Sequence, residues 1–420
     1  MPTLDARTAR RLKIFILLAG LALRFVWVVG RGLSRDELTS FAYVFAPEWQ
    51  SLFWDNAPPT FYALMKGLYA LAGSEWVLRG FAFLASATSF ILFFRFLDRE
   101  ESNLWLLGFW AVSPTSVVNA SFRPTVLVEL AGIVFFLTLR SSSLLRILAA
   151  LGGLAATSYL AFLAPLVALS EIDWRDRRRL WLLGAGFLVA GVGVARINWN
   201  ALNWLSAGDP WALGKSSFLM LSQLWGFSLP LFAAVTWVLV SHRKVPRSFI
   251  VIVGLILIGP FVTGHRFSSS RFLILFTPWV VMSIAAVLRL RRDIAAGALI
   301  VLIPAVTTTW FLSHEKSGWR EAGSFAVWTG ADAIFYTPTP MARLFSTRFE
   351  QGDVDLKTAI PRQLKAGGWV LRANPERDIG MNAFLKSGGA AGFAPAEIRI
   401  FGEGSLEPVR AVRVVPVPSN

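Results

Sequence analysis

Long apolar runs separated by short basic clusters set the rhythm of the first three quarters of this chain. The first run, residues 14–30 (IFILLAGLALRFVWVVG), follows a basic start containing Arg7, Arg10, Arg11 and Lys13. Further runs cover 76–97, 104–118, about 125–139, 180–196, 220–240, 249–263, 271–288 and 294–312. Each is long enough for a helix crossing or nearly crossing the roughly 30 Å hydrocarbon core of a bilayer. Residues 144–169 are also apolar but have Arg146 on one flank and Arg175 to Arg179 on the other. Basic flanks on the same side require an even number of crossings, so this segment is predicted to be a short helical hairpin, broken by Gly152-Gly153 and Pro165. Residues 58–72 are apolar but short and contain Lys66, which suits an interfacial amphipathic helix.

The pattern changes after residue 312. Short alternating segments, AIFYT (333–337), GWVLRA (368–373), EIRIF (397–401) and VRAVRVV (409–415), read as strands. WREAGSFAVW (319–328) and MARLFSTRF (341–349) read as helices. The expected architecture is an α-helical polytopic membrane protein of about 11 membrane helices, counting the hairpin, with a small C-terminal α/β domain. Its parts are a transmembrane module over residues 1–312, including a first outer loop at 31–75, and a soluble domain over 313–420.

Composition agrees. The chain is 55% hydrophobic and 16% charged, where soluble domains run nearer a quarter charged. The net charge of +15 does not indicate nucleic acid. The cations gather at one side of the predicted spans, as the positive-inside rule requires, and no basic tract with interleaved aromatics stands on a polar face. The same rule puts the N-terminus in the cytoplasm and both the first loop and the C-terminal domain outside (periplasmic). With no cysteine and only His242, His265 and His314, disulfides, thiolate chemistry and histidine-rich metal centres are excluded. Carboxylates, arginines and hydroxyls are left for any chemistry.

Four places hold such groups. The first loop carries Asp36, Glu37 and Asp55 among aromatics and prolines. A carboxylate at a membrane boundary can act as a general base, or be a solvated loop charge. Arg123 stands in the outer turn VVNASFRPTVLVE, where a guanidinium can anchor the interface or clamp a phosphate. Arg266 and Arg271, in GHRFSSSRFLILFTP, lie on the face where arginines are disfavoured, so an anionic group, a bilayer phosphate or a lipid-linked substrate, would explain them. Arg24 lies inside the first span, at an insertion cost of about 2.5–3.5 kcal/mol if central. It either snorkels to an interface or faces a polar cavity. Glu129, inside the fourth span, is a candidate structural partner for an arginine.

Taken in order, LALRFVWVVGRGLSRDELTSFAY, WDNAPPTFYALMKGLYALAGSEWVLRGFAFLASA, SPTSVVNASFRPTVLVELA, SSRFLILFTPWVVM and SGWREAGSFAV resemble the family-39-type membrane glycosyltransferases of GT-C fold. That group holds the dolichyl-phosphate-mannose protein mannosyltransferases and the bacterial aminoarabinose transferases. The resemblance implies a multi-pass enzyme of the bacterial inner membrane. It would take a polyprenyl-phosphate-linked sugar as donor and deliver the sugar, with inversion, to an unidentified glycan, lipid or protein acceptor on the outer face. By position, Asp36 resembles the catalytic carboxylate with Glu37 as neighbour, and Asp55 is a second acidic position. Arg123 and Arg271, with Arg266 nearby, resemble the cations around the donor phosphate. No residue is assigned to a metal, and a divalent cation is left open as cofactor. Relatives often carry an acid where this chain has Ser121 and a histidine where it has Ala57. Those departures keep a second reading in play, a non-catalytic member that binds lipid-linked glycans or scaffolds polysaccharide assembly. A secondary transporter is the weaker third, because no paired set of broken helices stands in matching halves.

Overall fold

The apolar runs become helices in a computed structural model of the chain. It describes residues 5–30, 35–45, 57–172, 228–263, 274–314, 333–337, 349–351, 368–373, 379–389, 393–401 and 409–417, apart from a few single positions within them, and isolated positions elsewhere. Two compact units emerge: Met1–Val29 with Leu52–Phe311, and Gly30–Ser51 with Leu312–Asn420.

In the first unit, α1 spans Ala6–Val28. Asp5 caps it, accepting from the Thr8 amide at 2.8 Å and from the Thr8 hydroxyl at 2.6 Å. These hydrogen bonds hold the Asp5 carboxyl below its ordinary range. Then come α3 (Thr60–Ala72), α4 (Glu75–Glu100), α5 (Leu104–Val112), α6 (Pro114–Asn119) and α7 (Thr125–Thr138). The chain continues through α8 (Leu144–Thr157), α9 (Leu163–Glu171), α10 (Leu229–Ser241) and α11 (Arg247–Thr263). A 3-10 turn at Ile274–Phe276 leads into α12 (Thr277–Leu290), and α13 is Ile294–Ser313. Side chains at the helix starts supply N-caps: Ser74 to the Trp76 amide, Asn103 to Trp105, Ser143 to Arg146 and Ser228 to Leu231. The segment predicted as a hairpin is indeed two helices, α8 and α9, separated by residues 158–162.

Among the described residues, Glu75–Glu100 and Ile294–Ser313 are long and apolar enough to cross a membrane. Outward-facing Leu84, Leu299, Leu302 and Val306 leave an apolar outer surface. Inside, aromatic rings tie four helices together. Phe93 of α4 meets Trp110 of α5 at 5.1 Å and Phe136 of α7 at 5.9 Å, and Phe136 meets Trp279 of α12 at 5.2 Å, all edge-on.

One expectation is corrected here. Residues 104–118 read as a single span, yet the helix breaks at Ser113–Pro114. Pro114 has no N–H to give the carbonyl one turn back, so α5 ends and α6 begins at a new angle.

The second unit holds α2 (Arg35–Phe45), where the sequence suggested an irregular loop. The missed signal is a stripe: among its described side chains Glu37, Ser40, Phe41 and Val44 are buried, at the i, i+3, i+4, i+7 spacing of one helical face. Its sheet has the order β2-β1-β3-β5-β4, with β1 Ala333–Thr337, β2 Phe349–Gln351, β3 Gly368–Ala373, β4 Phe393–Phe401 and β5 Val409–Pro416. β1 pairs in parallel with β2 and β3, while β5 runs antiparallel to β3 and β4. The predicted strands at 333–337 and 368–373 keep their bounds, and the one at 397–401 starts earlier, at Phe393. The register shifts between Pro395 and Glu397, where proline cannot donate to the ladder. The helix predicted over 341–349 is corrected at its last residue, since Phe349 opens β2. Its remainder and the helix predicted over 319–328 lie outside the described residues, Ala322 apart. Helix α14 (Ile379–Lys386) was not foreseen. It ends at Gly388 and Gly389, both with positive φ, and a Cβ at Gly389 would sit 2.2 Å from the Phe393 carbonyl oxygen. Arg410 of β5 donates to Asn382 of α14 at 2.7 Å.

Candidate functional site

The broken helix creates a chemical demand. In an uninterrupted helix the carbonyls of Ala111 and Val112 would take the amides of Thr115 and Ser116. The break frees them, and among apolar surroundings a free carbonyl is costly. Side chains from other helices meet the need. Arg24 of α1 donates through Nη1 to the Ala111 carbonyl at 3.2 Å, and Thr308 of α13 donates through Oγ1 to Val112 at 2.7 Å. A cation at the C-terminal end of α5 also suits the helix dipole.

Arg24 is fully buried. Besides Ala111 it donates to the Gly20 carbonyl at 3.0 Å and, through Nη2, to the Ser116 hydroxyl at 2.7 Å. Its guanidinium lies over the Phe90 ring, 4.1 Å from the centroid. Of the two alternatives left by the sequence, snorkelling is overturned: Arg24 points into the bundle. Glu129 of α7, also buried, shares the neighbourhood. Neither oxygen of its carboxylate has a hydrogen-bond partner among the described residues.

One turn further along α1, the Trp27 indole donates to the Val118 carbonyl at 2.9 Å and to the Ser121 hydroxyl at 3.1 Å. Ser121 itself donates to Val118 at 2.8 Å. The position that in relatives often holds an acid is thus occupied by a buried hydroxyl engaged with α1 and its own turn. Two residues on stands Arg123, half-buried, in the turn joining α6 to α7. Its amide donates to the Ser121 carbonyl at 2.7 Å and its carbonyl accepts from the Val126 amide at 3.2 Å. The amides of Leu127 and Val128 bond to Pro124, so the first turn of α7 is satisfied locally.

Two more elements reach the same corner. Phe61 of α3 packs against Phe122 with ring centroids 5.3 Å apart. The 3-10 turn that begins three positions after Arg271 packs on α6 and α7. A Cβ at Gly132 would meet the Cα and carbonyl oxygen of Leu275 at 3.4 Å.

The remaining predicted site residues divide as follows. Asp36 is in helix α2, with its side chain outside the described residues. Glu37 is fully buried, which corrects its alternative reading as a solvated loop charge. Asp55, Arg266 and Arg271 lie outside the described residues. Among the described residues no three of His, Cys, Asp and Glu stand close enough to hold a metal ion. Sequence reasoning missed Trp27, Ser116 and Thr308. The one signal, for Thr308, was the Ser-Pro step in a hydrophobic span, which calls for polar side chains elsewhere to receive the freed carbonyls.

Neither a protein-family model nor a curated sequence matches the chain. Solved structures do. ArnT, the aminoarabinose transferase from Cupriavidus metallidurans, bound to undecaprenyl phosphate, superposes with a TM-score of 0.51 at 13% identity, covering 95% of this chain and 97% of its own. The same enzyme in the apo state gives 0.52 at 12% identity with the same coverage. The chain therefore shares the fold of these structures over 95% of its length.

Proposed function

We propose that this protein is a polytopic membrane glycosyltransferase that moves a sugar from a polyprenyl-phosphate donor to an acceptor on the outer, periplasmic face of a bacterial inner membrane. Asp36 takes the proton of the acceptor hydroxyl as that oxygen attacks the anomeric carbon. The bond from that carbon to the phosphate oxygen breaks, the configuration inverts, and the electron pair leaves with the polyprenyl phosphate. Arg123, with Arg266 and Arg271, stabilises the charge gathering on the departing phosphate. Glu37 flanks the base and Asp55 is assigned to the acceptor side. The helices cross the membrane about 11 times, counting the hairpin, and the C-terminal sheet domain lies outside.

The observation that carries this reading is the likeness, over nearly the whole length of both chains, to an enzyme whose structure holds undecaprenyl phosphate. A fold alone does not fix an activity, so the residues must be tested. Envelope lipids and glycans from a strain lacking the protein should miss one sugar modification and accumulate the polyprenyl-phosphate sugar. Wild type should restore the product and Asp36→Asn should not, at equal membrane abundance. Full restoration by Asp36→Asn would remove Asp36 from the chemistry.

The engagement of Ser121 favours one alternative, a protein that binds lipid-linked glycans without turnover. That reading predicts undecaprenyl phosphate affinity in the purified protein together with an unaltered envelope in the deletion strain.

A further inference from the structure

The acids at the end of α4 are already answered. Asp98, Glu100 and Glu101 pair with Lys13, Arg140 and Arg289. At the same end of the bundle stand four exposed arginines, Arg7 and Arg11 on α1 and Arg95 and Arg99 on α4. Their guanidinium groups have no ion-pair or hydrogen-bond partner among the described residues. Their placement is regular. Arg7 and Arg11 share one exposed face of α1 with Phe15, Leu18 and Phe25, and Arg95 and Arg99 share one exposed face of α4 with Leu84 and Thr88. The two helices run antiparallel and adjoin. Lys13 reaches Asp98, and Phe25 packs edge-on against Phe83, next to Leu84, with ring centroids 5.4 Å apart. Each face is thus largely apolar along its length and cationic at the same end.

We propose that these adjoining faces hold an anionic phospholipid, its headgroup among Arg7, Arg11, Arg95 and Arg99 and its acyl chains along Phe15, Leu18 and Leu84. In a bilayer, exposed apolar faces are covered by lipid tails, and cations at their ends stand at headgroup depth. A guanidinium forks onto phosphate oxygens. Charge selects the headgroup. A zwitterionic lipid brings a cation of its own, which the arginines repel, whereas an anionic lipid leaves its phosphate charge for them to meet. The local acids cannot compete, because each already has its cation. The proposal rests on the bundle lying in a bilayer, the setting of the function proposed above, and on no step of sugar transfer.

The test is native mass spectrometry of the full-length protein in detergent micelles doped with equal amounts of phosphatidylglycerol and phosphatidylcholine. Wild type should retain phosphatidylglycerol in preference. Each arginine near a headgroup is expected to contribute about fivefold, so Arg11→Gln/Arg99→Gln should lower phosphatidylglycerol retention at least about tenfold and leave phosphatidylcholine unchanged. The matched control Arg243→Gln/Arg247→Gln removes the same charge from exposed positions at the α10–α11 connection and should stay within about twofold of wild type, since screened charges act only locally. The substituted side chains are exposed, so the thermal midpoint should not move. Should the first pair unfold early, Arg7→Gln/Arg95→Gln carries the same expectation. Equal retention of the two lipids by wild type, an unchanged preference in the folded arginine variant, or an equal loss in the control overturns the proposal. Lipid retention does not depend on turnover, so an envelope unaltered in the deletion strain would remove the transferase reading and leave this result standing.

Discussion

Helix α1 carries charge at two levels, and the two could hardly be more different. Near its start, Lys13 lies 2.5 Å from Asp98, and the same acidic end of α4 also pairs Glu100 with Arg140 and Glu101 with Arg289, both at 2.8 Å. Most of these groups keep contact with solvent; Arg140 and Glu100 are each about half exposed, while Glu101 is largely covered. Eleven residues on, roughly 16 Å up the helix, Arg24 is fully buried and its partners are carbonyls, a hydroxyl and an aromatic face. The first group joins α1, α4, α12 and Arg140, just past α7, by ion pairs with water close at hand. The second exists because a helix was broken and its carbonyls had to be received by something. Exposed ion pairs follow from charge distribution, but a buried arginine records a decision about backbone path. The contrast directs attention to the corner that Arg24 receives, which carries Arg123.

The sharpest way to break the comparison is to remove one partner at the buried level. Arg24→Met leaves the Ala111 carbonyl and the Ser116 hydroxyl without their donor. The expected loss is about 1–3 kcal/mol for each buried polar group left unsatisfied. Denaturation of purified protein in mild detergent measures it. A loss under about 1 kcal/mol, the size of an exposed pair, would erase the distinction drawn above.

A smaller effect is expected from crowding the same place without touching a charge. A Cβ at Gly20 would fall 2.3 Å from Cζ of Phe90, the ring beneath the Arg24 guanidinium. Gly20→Ala must displace that ring, at about 1–3 kcal/mol for overpacking of a core. A thermal midpoint equal to wild type would mean that Phe90 moves freely and that the stack over it contributes little to holding Arg24.

How much of this was readable beforehand differs between the two levels. The helices were legible because hydrophobic runs with basic flanks are a long, redundant signal, so that α4, α7, α11 and α13 fall within a few residues of their expected bounds. The strands at 333–337 and 368–373 were legible from alternation. The break inside 104–118 was not, because hydropathy averages over a Ser-Pro step. The side to which Arg24 points was not either, since a lone arginine in a span has the same sequence whether it snorkels or turns inward. Helix α2 was hidden because polar residues, Glu37 and Ser40, stand among its buried positions. At the site, Arg123 was found from its place in a turn between spans, whereas Trp27 and Thr308 act on backbone groups far away in sequence and Ser116 receives a distant arginine; the Ser-Pro step shows that partners are needed, not where in the chain they stand.

The smallest predicted effect lies at the exposed level. Glu100→Gln removes the 2.8 Å hydrogen bond and ion pair with Arg140 while leaving two neighbouring pairs on the same helix end. Both side chains are wet, so the attraction lost is nearly matched by restored hydration and side-chain freedom, and the cost should be about 0–1 kcal/mol. It should also fade with salt, because about 0.15 M salt already screens exposed charges over roughly 8 Å. Melting Glu100→Gln and wild type side by side at low and high salt tests this directly. A penalty above about 2 kcal/mol, or one that survives in molar salt, would mean that the acidic end of α4 works as a single coupled network. In that case the exposed level, and not only the buried one, would have a part in fixing how α4 and α12 are placed.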